Sequence, residues 1–193
     1  MEIADYATYD GVTVMVDVMG FGKPLDETPL LFQPGVLSIA WGTSIRQLAA
    51  GLDIEIDDIT EVCEREPAPE SFDVAAGHIG AGTVAAMRFE IRGMVNGAPV
   101  IVIEHVTRLR EDLRPDWAQP AQPGGSYRVE IVGEPSYAVD ICPSSRKGDH
   151  NHAAIVAAAG RIVNAIPDVV AAPPGIRTTL DMPLVTGKGL FGL

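Results

Sequence analysis

Val84-Ala85-Ala86-Met87-Arg88-Phe89-Glu90-Ile91-Arg92-Gly93-Met94, then Asn96-Gly97, then Pro99-Val100-Ile101-Val102-Ile103-Glu104-His105-Val106-Thr107-Arg108-Leu109: this stretch decides the fold. Asn-Gly supplies the positive φ angles that a tight hairpin turn requires, so the two arms are predicted to pair as antiparallel strands. In the first arm Met87, Phe89 and Ile91 share one face, and Arg88, Glu90 and Arg92 share the other. That period of two marks a sheet with one dry face. The second arm begins with four apolar residues, Val100 to Ile103, apolar on both faces, which fits a central strand.

Working outward, Ile59 to Glu64 alternates and predicts a strand, and Phe72-Asp73-Val74-Ala75 predicts another. Tyr127 to Ile131 and Tyr137 to Ile141 alternate cleanly around a turn at Gly133-Glu134-Pro135. Between Val36 and Leu52 the residues Val36, Ile39, Ala40, Ile45, Leu48, Ala49 and Leu52 fall near helical spacing, with Gly51 marking the end. A second helix is predicted over Asn151 to Val163, Ala-rich and suited to close packing. Ile3 to Thr8 reads as a short strand. Val12 to Met19 is ambiguous: its β-branched residues favour a strand, while Gly20 and Gly22 stand where a helix would stop. The order gives an α+β fold, a largely antiparallel open sheet with two or three helices on one face, in a single domain over residues 1–193.

The chain has 193 residues, enough to bury roughly 70% of its unfolded surface without staples. A net charge of −12 opposes nucleic-acid binding, which concentrates Lys and Arg for counterion release. Cys63 and Cys142 lie far apart, outside any metal or redox spacing, and are expected to be buried, reduced thiols. The N-terminus lacks a leader pattern and no apolar run approaches membrane-spanning length, so a cytoplasmic protein with no membrane partner is expected.

Few residues carry an obvious chemistry. No G-x-G-x-x-G follows a strand and opens a helix, so these residues alone are not expected to bind a dinucleotide in the usual way. Asp149-His150-Asn151-His152 is the best polar cluster. Two His two apart at a helix entrance diverge, however, and a helix cap is the stronger reading, so no metal site is expected. His105 reads as a buried imidazole satisfied by a backbone carbonyl. No serine has a nucleophile's spacing. Tyr6, Tyr9, Met15, Met19 and Phe21 lie close together and fit either the wall of an apolar substrate pocket or ordinary core and dimer packing. Near the C-terminus, Asn164-Ala165-Ile166-Pro167 precedes Ala171-Ala172-Pro173-Pro174-Gly175-Ile176. The prolines read as a helix stop that leaves a polar Asn at the helix end.

Taken together, Val18-Met19-Gly20-Phe21-Gly22, Gly80-Ala81-Gly82-Thr83-Val84-Ala85-Ala86 and the Asn164 to Ile176 segment resemble the C-terminal domain of dihydrodipicolinate-reductase-like oxidoreductases. Within them the chain is most similar to the 2,4-diaminopentanoate dehydrogenases and native amine dehydrogenases. The resemblance implies a homodimer that interconverts ketones and amines with NAD(P)H, the cofactor being held mainly by an N-terminal Rossmann domain that this chain is expected to lack. It implies that Val12 to Met19 is helical, that Tyr9 with the Met15/Met19 face lines the substrate pocket, and that Asn164 and Pro167 approach the nicotinamide. It names no catalytic residue. The alternative is a stand-alone ligand-binding or assembly module.

Overall fold

A computed structural model describes residues 2–3, 12–74 and 77–187. It divides into two compact units, Met1–Cys142 and Pro143–Leu193.

The first unit is built on the hairpin. Strand β5 (Val84–Val95) and strand β6 (Ala98–Arg108) are joined by Asn96 and Gly97, at φ +51° and +78°. They sit in a four-stranded sheet of order β1-β6-β5-β2, with β1 (Glu2–Ile3) parallel to β6 and β2 (Asp58–Pro67) antiparallel to β5. Two short strands, β3 (Phe72–Val74) and β4 (Gly77–Ile79), pair separately. So do β7 (Tyr127–Ile131) and β8 (Tyr137–Ile141). Sheets that are almost wholly antiparallel, with helices as separate segments, make this an α+β fold.

Helix α1 (Val36–Gly51) closes the dry face of the sheet. Met87, Phe89 and Ile91 are at most 1% exposed and share one core with Leu37, Ile45 and Ala49 of α1. The inward face is thus Leu37, Trp41, Ile45 and Ala49, the i, i+4 series of a helix. Ile39, Leu48 and Leu52, expected on that face, are exposed. α1 is apolar nearly all round, so spacing alone could not orient it. Two glycines allow the close approach. A Cβ on Gly93 would lie 2.7 Å from Ile45 Cγ2, and one on Gly42 3.4 Å from Ile59 Cδ1.

The opposite face of the sheet is ionic. Arg88 bonds Glu64 at 2.6 Å, Glu104 at 2.5 Å, and Glu90, which also receives Arg92. β6 is less central than its sequence implied. β1 meets it only at Thr107 and Arg108, and Val100 and Val102 are 47% exposed.

Val12–Val18 is helical, as the resemblance implied and against its β propensity, but wide-wound: Met19 N–H donates to Val14 C=O at 2.9 Å, five residues back. Gly20, at φ +86°, ends this turn against Pro29. The expected strand at Ile3 to Thr8 is seen as Glu2–Ile3, and the rest of it lies outside the described residues. Both cysteines are free and exposed rather than buried. Cys63 is on β2, at one side of the sheet, and Cys142 follows the exposed ribbon β7–β8.

In the second unit, helix α2 runs from His150 to Ala171, straight through Pro167. The expected stop at Pro167 is therefore a correction. Proline removes one N–H, and the carbonyl four residues back loses its partner. On a helix this exposed, water can take that carbonyl, so the helix continues until Ala172 and the Pro173-Pro174 pair. At 22 residues α2 is also long and apolar enough, by length and composition, to cross a membrane, although Arg161, Asn164 and Asp168 punctuate its apolar residues.

Candidate functional site

The centre of the first unit is an aromatic cluster around Phe89. His105 stacks on its ring with centroids 4.8 Å apart and planes 16° from parallel, Trp41 lies 5.1 Å away and Phe32 meets it edge-on at 6.2 Å. The pairing follows from strand register, which sets His105 directly opposite Phe89. The partner of the imidazole is a side chain, not the expected backbone carbonyl: Nε2 lies 2.6 Å from Thr107 Oγ1. Two residues on one face of one strand, two apart, could have been paired from the sequence.

Burial pushes His105 from an ordinary 6.5 down to about 4. The imidazole is therefore neutral in the folded protein at neutral pH and acts as a hydrogen-bonding group, not a charge. Because the unfolded chain takes up this proton at a higher pH than the folded one, stability from this group is complete above about pH 6.5 and falls as the pH drops toward 4. Urea unfolding of the native chain and His105→Leu should show it. Between pH 7 and pH 4.5 the native chain is expected to lose about 2 kcal/mol more than the variant. Equal losses would place the imidazole in water.

Met15 and Met19, expected to line a substrate pocket, are 2% and 9% exposed and belong to the same core cluster as Phe21, Phe89 and Leu37. Tyr6 and Tyr9 lie outside the described residues.

The second unit holds an apolar groove of about 480 Å³ between α2 and the segment that follows it. Ile162, Ile166, Val169, Met182 and Val185 line it, and Arg161 at its rim donates from Nη1 to Val185 C=O at 2.5 Å. Asn164 and Pro167 are not among its lining residues. At about 100° per residue they fall on the other side of α2, where Asn164 is half-buried and Pro167 exposed.

Neither long helix offers its N-terminus to a phosphate. At the start of α1, Ser38 N–H already donates to Glu61 Oε1 at 2.6 Å. At the start of α2, Asp149 Oδ1 accepts from His152 N–H at 2.9 Å, the cap predicted for this cluster. Helix N-termini are where a pyrophosphate is usually held, and here a carboxylate of the chain fills each one. Gly35, which precedes α1, follows Pro34 and a short 3₁₀ turn rather than a strand. The described residues therefore do not fit a dinucleotide cradle.

What this α+β unit belongs to is shown by comparison with known proteins. Residues 2–189 match the family described as the 2,4-diaminopentanoate dehydrogenase C-terminal domain. The chain belongs to this family. It is 38% identical, over 193 residues, to an amine dehydrogenase of Streptomyces virginiae, covering 99% of this chain and 54% of that protein. It also superposes on the structure of an amine dehydrogenase from Mycobacterium smegmatis with a TM-score of 0.52 at 23% identity, covering 78% of this chain and 40% of the other. That likeness shows the fold. The chain thus spans about half the length of the curated relative it matches. It is an oxidoreductase-family C-terminal domain, as its motifs implied.

Proposed function

We propose that this chain is the substrate-binding and dimerisation half of an NAD(P)-dependent oxidoreductase that interconverts ketones or imines and amines, residues 1–193 acting as one domain of that enzyme. The observation that carries the reading is the family match over residues 2–189. Its relatives are about twice as long, which leaves room for a nucleotide-binding domain of the Rossmann type elsewhere. The occupied helix N-termini support the same division of labour, because the phosphates of the cofactor need a seat that these residues do not provide.

In this reading Tyr6, Tyr9, Met15 and Met19 shape the substrate side, and Asn164 with Pro167 faces the nicotinamide. Asn164 and Pro167 lie on the side of α2 away from the groove, which keeps them available to a neighbour. The test is a fusion of this chain to the part of the Streptomyces virginiae amine dehydrogenase that it does not span. Tyr9→Phe should raise KM for the carbonyl substrate, and Asn164→Ala should raise KM for NAD(P)H, each by roughly tenfold, the loss of one hydrogen bond. Unchanged values for both would remove these residues from the site.

A further inference from the structure

We propose that the outer edge of β6 is the seat of one more strand, supplied by the part of the enzyme that this chain does not span and running parallel to β6 into Glu2. This deepens the two-part reading above and rests on it. β6 has 11 residues, and β5 pairs with one side of it along its whole length. On the other side only Thr107 and Arg108 have partners, Glu2 and Ile3 of β1. Among the described residues no other strand pairs with Ala98 to Val106 on that side.

The two edges of the four-stranded sheet are written differently. β2, the far edge, reads Asp-Ile-Thr-Glu-Val-Cys-Glu-Arg-Glu-Pro, with charges along its length and a proline at its end. Such residues keep a free edge from recruiting a strand. β6 has Val100-Ile101-Val102-Ile103 where those guards would stand. A run that is apolar on both faces belongs to a strand with neighbours on both sides, and a further strand along this edge supplies the second neighbour.

β1 fixes the place and the direction. Its parallel register sets Glu2 opposite Thr107 and Ile3 opposite Arg108, so a strand leading into Glu2 extends the same ladder back along β6, past Glu104 and Val102 toward Ala98. Positions after Ile3 lead the other way, beyond the end of β6. Strands usually have about 3–10 residues, and the two residues of β1 read as the end of a longer one. The Streptomyces virginiae relative has the length to supply it, since the chain covers 54% of that protein and matches a C-terminal domain. A second copy fits less well, because its strand would have to abut β1 end to end. Residues of the incoming strand opposite Ile101, Ile103 and His105 share the face on which Ile91 and Phe89 are buried, so that segment is extended and apolar at every second position.

The test adds, ahead of the 193-residue chain, about eight residues that directly precede the matched region in the Streptomyces virginiae amine dehydrogenase. Amide hydrogen exchange, followed by nuclear magnetic resonance, reads the edge. In the extended chain the amides of Ala98 to Val106 that do not bond β5 should exchange at least about tenfold more slowly than in the native chain. Amides of β2 should keep their native rates. Prolines at alternate positions of the added segment remove its donors and should abolish the protection, while residues 1–193 stay untouched.

Unchanged rates in the folded, extended chain would overturn the strand assignment. So would protection that rises with protein concentration in the native chain, the mark of a second copy on this edge. In the fusion to the rest of the Streptomyces virginiae enzyme the two readings separate. Amine formation with these amides unprotected overturns the strand and leaves the dehydrogenase reading standing, whereas protected amides without amine formation support the strand and count against that reading.

Discussion

Phe89→Ala is expected to cost about 3–5 kcal/mol of folding stability, the range for removing a buried aromatic ring. Phe89 is 1% exposed at the centre of the sheet, and three rings surround it: His105 stacked, Trp41 tilted and Phe32 edge-on. Truncation leaves a ring-sized void, and it also forfeits aromatic contacts, each worth about 0.5–1.5 kcal/mol beyond the area they bury. Against a total stability of roughly 5–15 kcal/mol for a domain, that is enough to populate the unfolded state under mild denaturant. Urea unfolding followed by far-ultraviolet circular dichroism measures it. Phe89→Leu, which keeps most of the volume, should cost less than half as much. A loss below about 1 kcal/mol for Phe89→Ala would show that α1 does not press on this face.

The second large effect is expected where α1 and the sheet come closest. A Cβ on Gly93 would stand 2.7 Å from Ile45 Cγ2 and 3.4 Å from Ile56 Cγ2. In an open strand, replacing glycine by a β-branched residue would gain up to about 1 kcal/mol from lower chain entropy and better β propensity. Here overpacking, at about 1–3 kcal/mol, has the opposite sign and outweighs it. Gly93→Val should therefore destabilise by about 2 kcal/mol. Shortening the opposing side chain removes the clash, so the double variant Gly93→Val/Ile45→Ala should be more stable than the sum of the two singles by more than about 1 kcal/mol. Additive single effects in the same urea titrations would mean that Gly93 is not what sets the spacing.

Both predictions rest on the hairpin, which was the most legible part of the chain. Asn96-Gly97 dictates its own backbone angles, and the alternation of Met87, Phe89 and Ile91 with Arg88, Glu90 and Arg92 dictates which side is dry. Local chemistry was enough because the turn and the period agreed. The same holds for Asp149, whose side chain caps the residues directly after it. Where the deciding partner is distant in sequence, the pattern ran out. α1 has apolar residues on every side, so only the positions of Ile59 and Gly93 on the sheet select Leu37 and Ile45 over Ile39 and Leu48.

Pro167 shows the reverse case. A strong local stop signal is overridden: α2 runs on through Pro167 to Ala171, which a helix with water access to the carbonyl four residues back can tolerate. For the candidate site, the family was legible and the surroundings of the named residues were not. The motifs pointed to the right family. The buried positions of Met15 and Met19, the pairing of His105 with Thr107, and the turning of Asn164 away from the groove all depend on how distant segments pack, which spacing alone does not encode.

The central claim, that this domain completes a dehydrogenase whose cofactor phosphates are held elsewhere, is tested most directly by one assay. This chain is fused to the remainder of the Streptomyces virginiae amine dehydrogenase, and NAD(P)H oxidation is followed with a ketone and ammonium, with chromatographic detection of the amine. The account predicts oxidation that depends on both the ketone and ammonium and yields amine in equal amount. A folded fusion that binds NAD(P)H and forms no amine across a panel of ketones would contradict it.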